Sequence, residues 1–206
     1  MGDDSEVIEV YVDPEDYGFD ERFDLLLLSN DEPLIRLKER LRNLRQVLTL
    51  EGGVAAKSLA EKLVFVGVVT ALEAFLCETV NYWVEHDEKA LRNIVTKILK
   101  DKTLKLGEIF TKHAGIKGYV KGYLQNSVVW HRWKTVEPLL KLGLEIGPPS
   151  FKSFEEILRK RHDIVHRSGH DKLGNPVSVT RDEIDKLCEM TKEFAVEVHS
   201  KLGPDI

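Results

Sequence analysis

One stretch constrains this 206-residue chain more than any other: residues 55–85 read as a single long helix that is apolar on nearly every side. Between Leu63 and Cys77 only Thr70 and Glu73 are polar. A helix at a protein surface keeps a polar stripe, whereas one without such a stripe is enclosed by other helices or by a partner chain. The longest apolar run, 63–72, is interrupted by Gly67 and Thr70. It is shorter than the roughly 20 residues that span a bilayer, so no membrane segment is expected. The chain should be all-α, an up-and-down helical bundle around one long central helix.

The flanking sequence supplies the enclosing helices. Pro33 follows Asn30, Asp31 and Glu32 at a position that a first helical turn tolerates. Leu34, Leu37, Leu41, Leu44 and Leu48 then repeat at three-to-four spacing. The opposite face carries Arg36, Lys38, Arg40, Arg42 and Arg45 and reads as solvated. Gly52-Gly53 breaks that helix. Asp87 can cap a helix over 88–99, and further helices are expected over 105–112, 119–126 and 131–142. Trp130, His131, Arg132 and Trp133 form an aromatic-basic cluster. Tryptophans at that spacing anchor a core, although aromatics beside arginine also stack bases. Gly147-Pro148-Pro149 is a rigid connector, Gly174-Asn175-Pro176 a turn, and 177–179 a short extended piece. Thr180 and Glu183 form a capping box. It opens a last helix whose apolar stripe is Ile184, Leu187, Cys188, Thr191, Phe194, Ala195 and Val198.

The chemistry concentrates in residues 151–170, FKSFEEILRKRHDIVHRSGH, an amphipathic helix closed by Ser168-Gly169 where a left-handed C-cap is wanted. At about 100° per residue, Phe154, Ile157, Leu158, Ile164 and Val165 share an apolar stripe, and Arg161 falls near its centre. A guanidinium cannot shed its proton, so burying it alone costs several kcal/mol. It needs a carboxylate mate or a cavity that admits an anion. Glu73 is the mirror case, a carboxylate in an apolar helix, and pairing with Arg161 would fix the guanidinium while leaving donors free. The alternative is that Glu73 faces outward or caps a kink near Gly67. His166 lies five residues beyond Arg161 and about 140° round, beside Arg159 and Asp163. Asp163, three residues earlier, can orient its ring. Imidazoles titrate near neutrality, so an arginine seeking an anion close to a histidine suits phosphate chemistry.

The same residues carry a resemblance. Arg161-His162-Asp163-Ile164-Val165-His166 resembles the R-x4-6-H signature of the HEPN superfamily, small all-helical domains of which many are metal-independent ribonucleases. The continuation RSGHDKLGNPVSVT is similar to members found in prokaryotic defence and toxin systems, and VVTALEAFLCETVNYWV, which contains Glu73, resembles their long central helix. The resemblance covers roughly residues 55–203. It implies an endoribonuclease that cuts single-stranded RNA or tRNA through the 2′-hydroxyl, with Arg161 for transition-state charge and His166 for proton transfer. It also implies a homodimer in which two motifs face one cleft. His162, Arg167 and His170 are candidates for substrate contact, with Asp163 and Glu73 in support. The other reading is a catalytically inactive HEPN-like domain that binds nucleic acid or a partner protein. An antitoxin or another defence-system protein is a further expected partner.

Composition limits the remaining choices. The net charge of -5 divides unevenly: residues 1–35 hold 12 acidic side chains and one arginine, and the rest holds 23 acids and 29 bases. An acidic extension over 1–32 thus precedes a mildly basic helical domain over 33–206, a balance compatible with RNA binding. Cys77 and Cys188 fall within helical apolar patterns and read as reduced core thiols of a cytoplasmic protein. His162, His166 and His170 recur every fourth residue, a spacing that can bind zinc. Ser168-Gly169 ends the helix before His170 completes a face, so no metal or other cofactor is expected.

Overall fold

The computed structural model describes residues 29–103 and 115–203. The extended piece expected over 7–12, the docking segment 23–28 and the helix over 105–112 lie outside the described residues. Within them run seven α-helices: α1 (Glu32–Val47), α2 (Val54–His86), α3 (Glu88–Asn93), α4 (Gly115–Asn126), α5 (Trp133–Pro138), α6 (Glu155–His166) and α7 (Arg181–Leu202). The fold is an all-α bundle with α2 at its centre.

At 1.5 Å per residue, the 33-residue α2 is about 50 Å long. Val64, Phe65, Val68, Val69, Leu72, Phe75, Leu76 and Val80 are each at most 2% exposed. They are covered by α1, α4, α6 and α7. By length and hydropathy α2 could cross a bilayer, but 61% of its most apolar window is buried within the bundle, so packing accounts for its composition. The enclosure is incomplete at one end. Residues 54–59 are exposed, and Leu59 and Leu63, one turn apart, are 57% and 59% exposed.

Helix α1 lies on α2 through Leu34, Leu37 and Leu41. The two backbones approach closely at Gly67, where a Cβ would stand 2.6 Å from Leu44 Cδ2. The basic face of α1 is not simply solvated. Arg40 grips Glu78 of α2 with both Nη atoms, and Arg45 bridges to Asp185 at 3.1 Å and Glu189 at 3.0 Å on α7. The buried acid of α2 is therefore Glu78, with its side chain 9% exposed, and its mate is Arg40.

Two π-helical turns continue α3 and α5, at Ile94–Ile98 and Leu139–Gly143. They close with Leu99 N donating to Ile94 O at 2.9 Å and Leu144 N to Leu139 O at 3.0 Å. Pro138, which lacks an N–H, stands where the second register slips. The turns pack on each other, and Asn93 Nδ2 donates to Gly143 O at 3.2 Å.

Trp133 stacks on Phe151 at 4.5 Å between centroids and 6° between planes; Phe151 stacks on Phe154 at 4.7 Å, and Phe194 of α7 meets all three edge-on. This cluster fixes the 147–154 connector and thereby the start of α6. Helix α7 buries the seven residues of its expected stripe, and its capping box forms: Thr180 Oγ1 accepts from Glu183 N at 3.3 Å, while Thr180 N donates to Glu183 Oε2 at 2.8 Å. Thr180→Ala should cost about 1 kcal/mol, read as a melting temperature lower by about 2–4 °C. The Glu183 carboxyl is held below its ordinary range, chiefly by Lys160 Nζ at 2.6 Å. A depressed folded value favours the charged form, so this contribution is full above the ordinary glutamate range. It is lost as pH falls through the depressed value.

Candidate active site

The motif helix α6 sits at the edge of the bundle and has no fully buried residue. Phe154, in the 3-10 turn before it, is 1% exposed, while Ile157 and Ile164 are half-buried against the body. The expected apolar stripe is thus only partly covered: Leu158 borders a groove, and Val165 is 44% exposed.

That groove, about 1360 Å³, lies among residues 131–141, the 147–152 connector and one face of α6. Its walls carry Arg132, Lys134, Lys141, Lys152 and Arg159 together with His131 and His162, against Glu137 and Glu155. Five permanent cations facing two acids make it strongly basic. The aromatic-basic cluster divides its duties here. Trp130 is 9% exposed and donates Nε1–H to Leu124 O at 3.2 Å, and Trp133 joins the aromatic stack, so both tryptophans anchor the core. His131 and Arg132 between them are left to the groove.

On α6, Glu155, Arg159, His162 and His166 follow one another at four, three and four residues and so share a face. The rings of His162 and His166 lie 4.8 Å apart, tilted by 44°, and the exposed His166 stands one turn beyond His162, the last α6 residue that lines the groove. Arg161 lies about 140° round the helix from His166 and is half-buried. Its Nε is shut from solvent with no hydrogen-bond partner, and among the described residues no carboxylate pairs with its guanidinium.

Two expected contacts are replaced by others. The ion pair between Glu73 and Arg161 does not form; Glu73 Oε1 instead lies 3.3 Å from His131 Nδ1. That distance suits an ion pair, but the angle is not that of a hydrogen bond, and neither atom has another partner. Asp163 does not orient His166: its carboxylate is taken by Arg167, four residues on, which also occupies part of a residue expected to meet substrate. The C-cap differs in detail. Ser168 holds the first left-handed position (φ 52°) and Gly169 the second (φ 79°), with Gly169 N donating to Asp163 O at 3.2 Å. The torsion at Gly169 favours glycine, whereas the approach of a Cβ to Lys62 Nζ, 3.2 Å, needs only a small shift of a flexible side-chain end.

After the cap the chain folds over itself. Asp171 Oδ1 accepts from Leu173 N and Asn175 N, each at 2.8 Å, and Asn175 Nδ2 donates to Oδ2 at 3.0 Å. The Asn175 amide holds the Asp171 carboxyl below its usual range. His170 directs Nδ1 at Ser168 O, 3.1 Å away, rather than towards the His162–His166 pair. No group of three or more His, Cys, Asp or Glu side chains that could hold a metal occurs among the described residues. Both thiols are free, and burial pushes Cys77 up to about 11 and raises Cys188, which makes neither an effective nucleophile.

The arrangement can bind a polyanion along the basic groove, offer imidazoles at its edge, and present a guanidinium that no carboxylate among the described residues pairs. Sequence reasoning passed over the Glu78–Arg40 pair and the groove role of His131. An isolated acid between Cys77 and Thr79 in an apolar helix was a signal for the first. For the second, the signal was a histidine flanked by core-seeking tryptophans. A family model described as RiboL-PSP-HEPN matches residues 35–203. No curated protein and no solved structure matches the chain.

Proposed function

This chain belongs to the RiboL-PSP-HEPN family, a nuclease-like or RNA-related domain, and on that premise we propose that it is a metal-independent endoribonuclease. It cuts single-stranded RNA or tRNA in the cytoplasm, as part of phage defence or a toxin–antitoxin pair. The observation that carries this reading is a half-buried Arg161 with no anionic partner among the described residues, on the same short helix as an exposed His166 whose ring meets His162 of a basic groove. A guanidinium left unpaired in that setting favours an anion, and a phosphodiester is the anion that the rest of the groove suits.

In the reaction, a base takes the proton of the 2′-hydroxyl as the O2′–P bond forms. An acid gives a proton to the 5′-oxygen as the P–O5′ bond breaks. The products are a 2′,3′-cyclic phosphate and a 5′-hydroxyl. Arg161 offsets the charge that develops on phosphorus oxygens, and His166 carries a proton. An RNA mixture incubated with the purified chain in EDTA should yield those end groups. RNA left intact by the chain, with or without EDTA, would remove the reading.

A homodimer belongs to the same proposal. Leu59 and Leu63 of α2, and Val165 of α6 one turn beyond Arg161, leave apolar surface uncovered. A second copy seated there would cover it and bring two motifs to one cleft. Leu63→Glu should convert a dimer into a monomer by light scattering and abolish cleavage. A variant that stays dimeric would place the contact elsewhere.

A second reading is favoured by one observation. Arg161 and His166 point to different sides of α6, which within a single subunit suits an inactive domain that binds RNA or a partner such as an antitoxin. Binding without cleavage by the wild-type dimer is the result that selects it.

A further inference from the structure

We infer that His131, held by Glu73, is a second proton carrier of the groove, supplied by the segment before α5 where His162 is supplied by α6. The inference rests on the ribonuclease reading and supplies what that reading lacks within one subunit, a further imidazole for the other proton.

His131 is placed with unusual firmness for a residue between helices. Trp130 on one side is 9% exposed and tied to Leu124 O, and Trp133 on the other is stacked on Phe151. The ring turns Nδ1 inward, where that atom is closed to solvent and faces Glu73 Oε1 at 3.3 Å. Glu73 Oε1 is likewise closed to solvent and has no other partner. A carboxylate against one imidazole nitrogen holds the ring in one orientation and leaves the other nitrogen for substrate. The His131 side chain is 32% exposed, and the residue lines the groove. The free edge of the ring therefore opens on the space that Arg132, Lys152 and Arg159 make attractive to phosphate.

Imidazoles from two separate elements, His131 and His162, thus line one basic groove. One takes the 2′-hydroxyl proton as the O2′–P bond forms; the other, protonated, gives its proton to the departing 5′-oxygen. Protons balance over the cycle when water hydrolyses the cyclic phosphate or the two rings exchange protons with solvent. Glu73 is a positioning residue, acting only through His131.

The experiment compares wild type, His131→Gln, Glu73→Gln and His166→Ala on one RNA oligonucleotide in EDTA, with kcat and KM followed from pH 5 to 9 and folding checked by circular dichroism. His131→Gln should lower kcat by about 100-fold or more with KM little changed, and one limb of the bell-shaped pH profile should vanish. Added imidazole should restore part of the rate to His131→Gly. Glu73→Gln, nearly isosteric, should displace that same limb, which a merely structural contact between α2 and residue 131 would not do; it also decides the matter if His131→Gln fails to fold. Wild-type cleavage with both variants inside about threefold of it and an intact profile overturns the inference while the ribonuclease reading stands. No cleavage by wild type, equal to His166→Ala, overturns both.

Discussion

His166→Ala should reduce RNA cleavage by about 100- to 10,000-fold in kcat, the range that a positioned proton carrier contributes. The side chain is exposed at the last turn of α6, and its ring lies 4.8 Å from that of His162. Its removal therefore leaves the core untouched, and the melting temperature should stay within about 2 °C, as for surface substitutions of about 0.5 kcal/mol. Arg161→Ala should fall to a similar rate, because the developing phosphorane loses the guanidinium proposed to offset its charge. Arg161→Lys should recover little, since an ammonium cannot reproduce the planar fork of donors. Arg159→Ala, on the groove face, should act mainly on KM and flatten the salt dependence of RNA binding, as expected for a phosphate contact. A loss in kcat for Arg159→Ala as large as that for His166→Ala would mean that the proton chemistry has been placed on the wrong residue.

The second large effect is on stability. Arg40→Ala should destabilise the fold by about 3 kcal/mol, because it strands the Glu78 carboxylate, 9% exposed, against the apolar face of α2. For a chain of this size that is a fall of about 10 °C in melting temperature. Replacing both partners with apolar residues, Arg40→Met with Glu78→Leu, should recover most of the loss, because neither an unpaired charge nor its desolvation remains. A double variant as unstable as Arg40→Ala would show that packing, not charge, decides the contact between α1 and α2.

The parts of the fold that were legible in the sequence are those set by local signals. The α7 stripe from Ile184 to Val198 and the Thr180–Glu183 box were readable because helical spacing and capping act within a few residues. The same holds for the apolar character of α2 and the break at Gly52-Gly53. Which acid meets which base was not readable in that way. Glu73 and Arg161 looked like mates because each stood in an apolar frame, yet the bundle gives Glu73 to His131 and Glu78 to Arg40. Residue spacing fixes the face of a helix, not what another helix 38 residues away presents to it. Within α6 the intended orienting acid, Asp163, is captured by Arg167 at the favourable four-residue spacing, a local pairing that competes directly with His166. The groove itself was the least readable part. It is assembled from α6, the 147–152 connector and residues 131–141, which no local pattern brings together, although Gly147-Pro148-Pro149 marked the connector as rigid. The π-helical turn after Pro138 had a visible cause in its missing donor; its counterpart at Ile94–Ile98 had none.

All of this depends on RNA lying in the groove beside α6. The most direct measurement is photocrosslinking of a single-stranded RNA made uncleavable by 2′-deoxy substitution, with the attached peptides identified by mass spectrometry. Crosslinks should fall within residues 131–134 and 152–166 and be lost when Lys152 and Arg159 are both changed to glutamate. Crosslinks concentrated on the outer face of α1, or unaffected by that double change, would contradict the assignment of the groove.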